Sequence, residues 1–69
     1  MNKNEAILTQ TLDQLERLNE ALSSLRRELL PAQPRKFAIL AEGPLGDMRR
    51  LQGEIERLTS EIATAPAAA

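Results

Sequence analysis

Leucines recur every seven residues at Leu8, Leu15, Leu22 and Leu29, with Thr11, Leu18 and Leu25 between them. This alternation of three and four lays one apolar stripe along a helix, the a and d seam of a coiled coil. A second stripe, Met48, Leu51, Ile55, Leu58 and Ile62, repeats the spacing nearer the other end. In a chain of 69 residues these seams dictate the architecture, because little else could form a core. The fold class they predict is all-α, an antiparallel helical hairpin with a coiled-coil-like seam that completes a helical bundle by self-association.

Two registers compete for the first stripe. With Leu8, Leu15, Leu22 and Leu29 at a, the d positions are Thr11, Leu18 and Leu25. With those leucines at d, the a positions become Leu12, Asn19 and Arg26, and an arginine in the seam is costly. The first register leaves only Thr11 polar and is preferred. Ile7 and Leu12 then widen the apolar face at its N-terminal end, as suits a helix with more than one neighbour.

The punctuation of the chain suggests a single domain over residues 1–63. A first helix is expected over residues 4–30, with Asn4 as N-cap, Glu5 at the positive end of the dipole and Arg26 and Arg27 at the negative end. Asp13 and Arg17 stand four apart, in the better orientation for an ion pair worth about 0.3 kcal/mol. A proline-rich turn, 31–34, ends this rod. Pro34 followed by Gly43-Pro44 then reads as the start and stop of a short connecting helix over 35–42. A second main helix is expected over 45–63. Residues 64–69 form a small-residue tail, predicted to be disordered. In this layout the first seam is longer than the last helix can cover, so the short helix or another chain must cover the remainder.

Composition removes most chemistry. The chain has no Cys and no His, hence no disulfide, thiolate nucleophile or imidazole ligand. A domain of 7.6 kDa buries little surface, and without staples its remaining aid is association. Neither cofactor nor metal is expected, and no catalytic residues. Glu54, Glu56 and Glu61 read as a solvated helix face, and no phosphate-binding glycine loop is present. No apolar run suggests a membrane span or a signal peptide, so a cytoplasmic protein is expected.

The net charge is −1, but the signs are sorted. Residues 1–25 hold Lys3 and Arg17 against Glu5, Asp13, Glu16 and Glu20, a net of −2. Residues 26–50 hold Arg26, Arg27, Arg35, Lys36, Arg49 and Arg50 against Glu28, Glu42 and Asp47, a net of +3. A hairpin is expected to gather those six cations around its turn. They are either a docking patch for nucleic acid or an acidic protein, or dipole complementation and solubility. Without aromatic stacking residues, single-strand binding is disfavoured.

Phe37-Ala38-Ile39-Leu40-Ala41 has two readings as well. It caps the open end of the seam as core, or it offers Phe37, Ile39 and Leu40 to a partner helix. Gly46, Gly53 and Ser60, seven apart, lie opposite the second seam, either as a close-packing stripe or as surface. The acidic g positions Asp47, Glu54 and Glu61 disfavour antiparallel self-pairing of the last helix.

The function this supports is a non-catalytic protein–protein interaction module, a small adaptor, assembly factor or chaperone-like hairpin. Its seam would be Leu8, Leu15, Leu18, Leu22, Leu25, Leu29, Met48, Leu51, Ile55, Leu58 and Ile62, and its partner itself or another helical protein. The alternative is a regulatory protein that binds nucleic acid or an acidic partner through the basic end.

Overall fold

The computed structural model describes residues 3–64, which form two helices joined by a tight turn: α1, Lys3–Leu29, and α2, Pro34–Thr64. They pack against one another as a thin rod with principal extents of 58 × 16 × 13 Å. The architecture is all-α and hairpin-like, as the two seams require. The helix count differs from expectation. No break separates a short helix from a longer one, because α2 runs unbroken through Gly43, Pro44 and Leu45.

The reason is visible in the phase of the seam. Phe37, Ala41, Pro44, Met48, Leu51, Ile55, Leu58 and Ile62 are all buried or half-buried, while the residues just outside the proline, Gly43 and Leu45, are exposed. Their spacing alternates four and three without a slip, so Pro44 is itself a seam residue. A helix interrupted there would lose the shared face. Proline lacks the N–H that would bond the Leu40 carbonyl and crowds that carbonyl, at a cost of about 3 kcal/mol. Extending the buried stripe over two further turns outweighs it. Gly43, expected just past a helix end, is an interior residue.

The unbroken α2 also removes the expected overhang. At 1.5 Å per residue the 27 residues of α1 and the 31 of α2 make rods of about 40 and 46 Å. The partner helix is long enough for the whole first seam, and self-association must be argued on other grounds.

The turn follows the sequence closely. Leu30 N–H still bonds the Arg26 carbonyl at 3.0 Å, and Gln33 N–H closes onto the Leu29 carbonyl at 2.6 Å. Phe37 N–H then bonds the Gln33 carbonyl at 3.0 Å, which makes Gln33 the cap and Pro34 the first helical residue. That is where proline is tolerated, since its missing donor would have had no partner. At the other end α1 already includes Lys3 and Asn4, so Asn4 is a half-buried residue within the first turn instead of its cap. Thr64, placed in the tail by sequence, closes α2 with its hydroxyl on the Ser60 carbonyl at 2.9 Å. The rest of the expected tail lies outside the described residues.

The core is narrow. Among the described residues, Leu29, Ala41, Leu51 and Leu58 are the buried apolar ones, joined by buried Thr11. The Thr11 hydroxyl donates to the Ile7 carbonyl at 2.8 Å, so the polar seam residue is satisfied within its own helix. That carbonyl is also the natural acceptor of the Thr11 backbone N–H, which makes the hydroxyl dispensable. Thr11→Val keeps the shape and removes a desolvated polar atom. It should raise stability by about 0.5–1 kcal/mol in a denaturant titration. A loss instead would mean that the hydroxyl has a second role in the seam.

Candidate functional site

Helical phase divides the expected interaction residues into three groups. The first is the seam. Besides buried Leu29, Leu51 and Leu58, the residues Leu8, Leu15, Leu18, Leu22, Leu25, Met48, Ile55 and Ile62 all face inward but are only half-covered. Two paired helices leave the flanks of their contact open to water, and these side chains keep part of their apolar surface exposed.

The second group is the aliphatic segment after the turn, which the two sequence readings assigned either to core or to surface. The structure splits it. Phe37 and Ala41 point to the seam, half-buried and buried, whereas Ile39 and Leu40 are 62% and 45% exposed. One turn of helix separates the inward pair, and Ile39 and Leu40, between them in sequence, are rotated off that face. Ile39 and Leu40, with Ala32, Gln33, Pro34, Arg35 and Lys36, line a shallow groove of about 510 Å³ at the turn end.

The third group is basic. Arg26, Arg27, Arg35 and Lys36 are exposed around the turn, and an Arg27 Nη donates to Ser24 Oγ at 3.2 Å. Arg49 and Arg50 do not join them. Because α2 is continuous from Pro34, Arg49 lies about 22 Å up the rod from its start. Arg50 there meets Asp47 at 3.6 Å. The expected cluster is thus two separate features, four cations at the turn and a pair half-way along α2.

Elsewhere the surface is an ordinary solvated one. Arg57 bridges Glu54 at 3.7 Å and Glu61 at 3.1 Å, which accounts for two of the carboxylates of the last turns. Such exposed pairs contribute about 0–1 kcal/mol each. Asp13 and Arg17 are not joined by an ion pair among the described residues; with Gln10 and Gln14 they line a small polar hollow. Gly46, Gly53 and Ser60 are exposed, and a Cβ on either glycine would meet nothing within 4 Å. Among the described residues no three His, Cys, Asp or Glu side chains come together as a metal site, and no helix is long and apolar enough to cross a membrane.

Two exposed leucines lie outside the expected seam: Leu12, which the sequence reading takes as widening the apolar face, and Leu45, which it does not single out. Leu12 is 46% and Leu45 37% exposed. In the seam register both occupy e positions, and reversing one helix against the other places the e residues of both along the same flank of the hairpin. The opposite flank carries the g residues, Leu40 among them. Comparison with known protein families, with characterised proteins and with solved structures finds no match for this chain.

Proposed function

We propose that the chain is a non-catalytic helical interaction module that works by self-association, completing a helical bundle from two or more hairpins. The observation that carries this reading is the incomplete cover of its seam. Leu8, Leu15, Leu18, Leu22 and Leu25 are half-exposed, and Leu12, Ile39, Leu40 and Leu45 are more open still. Covering a large aliphatic side chain stabilises by about 1.5–3 kcal/mol in full. A small chain without disulfides needs part of that to hold its fold against chain entropy. Another hairpin is the simplest source. An adaptor or assembly role follows from such a module, because joining helices is the chemistry its side chains supply.

The alternative reading, a basic docking end for nucleic acid or an acidic protein, has lost part of its support. Arg49 and Arg50 stand far up α2, and of the remaining four cations Arg26 and Arg27 also complement the C-terminal end of α1.

The test is the molar mass in solution by light scattering across protein concentration, at low and high salt. A mass of at least twice 7.6 kDa is expected, insensitive to salt because apolar burial drives it. A fully helical monomer at every concentration would defeat the proposal.

A further inference from the structure

The start of α2 carries a surface that the seam does not use. Ile39 and Leu40, 62% and 45% exposed, line the groove of about 510 Å³ beside the turn, and Pro34 extends its apolar lining. Arg35 and Lys36 line the same groove, so each aliphatic side chain has a cation four residues before it on one helical face. Neither cation is in an ion pair among the described residues, whereas Arg50 and Arg57 both are. No acid occurs between Glu28 and Glu42, and neither of those lines the groove. Arg26 and Arg27 add two more exposed cations at the same end of the rod. Open aliphatic surface and unpaired positive charge thus share one face, and its occupant has to answer both.

We infer that this groove binds an acidic, aliphatic segment of another protein, lying along the first turns of α2. The segment's large aliphatic side chains cover Ile39 and Leu40, and its carboxylates meet Arg35 and Lys36, a groove mode of recognition with charged edges. The volume suits a few side chains. A second copy of this chain fits less well. A two-fold contact centred on the groove sets Arg35 and Lys36 of one copy against the same residues of the other. A bilayer meets the end of the rod first, yet Ile39 and Leu40 lie about 8–9 Å beyond the start of α2, on its side. A nucleic acid uses the cations and leaves the aliphatic lining without a partner. The inference goes beyond self-association and does not rest on it, because the groove stands outside the seam.

The test is selection of a phage-displayed random peptide library on the full chain, followed by fluorescence anisotropy with the enriched peptide. Enriched sequences should combine large aliphatic residues with Asp or Glu at helical spacing. Ile39→Ser should weaken binding of that peptide about tenfold or more. Arg35→Glu with Lys36→Glu should do the same at low salt and less at high salt. These positions are exposed, so helicity by circular dichroism should persist. The same peptide with Lys in place of its acids should bind the double variant better than it binds the wild type. An empty selection, enrichment of peptides without acids, or binding indifferent to either variant overturns the proposal. So does cosedimentation with phosphatidylserine vesicles that Ile39→Ser abolishes, since a lipid surface is then the occupant. Light scattering on Ile39→Ser should give the molar mass of the wild type. A lower mass assigns the groove to contact between copies, which overturns the peptide site and leaves self-association intact. A monomeric wild type that binds the peptide defeats self-association alone.

Discussion

Leu58→Asp should abolish the cooperative thermal transition of this protein and leave a largely unfolded chain. Leu58 is the most deeply covered large side chain, 1% exposed. It lies in the half of the rod away from the turn, where Thr11 is the buried residue of α1. Removing a buried leucine side chain costs about 2–5 kcal/mol through lost transfer energy and the cavity left behind. A carboxylate adds the cost of burying a charge, and every Lys and Arg of the described hairpin is exposed at its surface. A small domain holds only a few kcal/mol in reserve. Far-ultraviolet circular dichroism at fixed protein concentration would record the loss, with Glu20→Lys, an exposed change, as the neutral control. If Leu58→Asp melts as the wild type does, the two helices do not meet along this seam.

Pro44→Ala should act in the opposite direction and raise stability by about 2 kcal/mol. Alanine restores the donor for the Leu40 carbonyl and relieves the ring, a gain near 3 kcal/mol in a helix interior. Part is lost again because the half-buried ring leaves the seam. In a domain of this size the expected gain corresponds to roughly 8–16 °C in Tm. Gly46→Ala and Gly53→Ala should add about 1 kcal/mol each, since neither new Cβ meets a neighbour. Gly43→Ala should help only alongside Pro44→Ala, because the proline ring disfavours helical geometry in a preceding residue with a Cβ. Thermal melts of the single and combined variants separate these terms. An unchanged or lower Tm for Pro44→Ala would show that α2 is not continuous through residue 44 in solution.

The same proline marks where local sequence signals and the fold parted. Gly43-Pro44 is a strong stop when read over a few residues, and it led to an expected short helix, an overhanging seam and six gathered cations. Each of these consequences failed together once α2 proved continuous. The evidence for continuity was nevertheless present at longer range: Phe37, Ala41 and Pro44 keep the phase of Met48, Leu51, Ile55, Leu58 and Ile62. A backbone penalty of a few kcal/mol is local. The burial that opposes it is spread over about seven turns of paired helix and becomes visible only when the whole stripe is counted. The sequence reading includes Leu12 as widening the apolar face, but the exposed flank residue Leu45 was missed for a related reason, because e positions gain meaning only when two helices are placed side by side.

What the sequence determined by itself is the helical class, the inward face of each helix, the site of the turn and the capping role around Pro34. These follow from the period of the side chains and from proline's missing donor, which act within one helix or across one turn. The tertiary structure alone decided that α2 passes through Pro44, that Phe37 faces inward while Ile39 and Leu40 face water, and that Arg49 and Arg50 stand apart from the basic turn. Those outcomes depend on the second helix: only its presence makes the buried stripe worth more than the proline costs, and only its position separates a covered leucine from an open one.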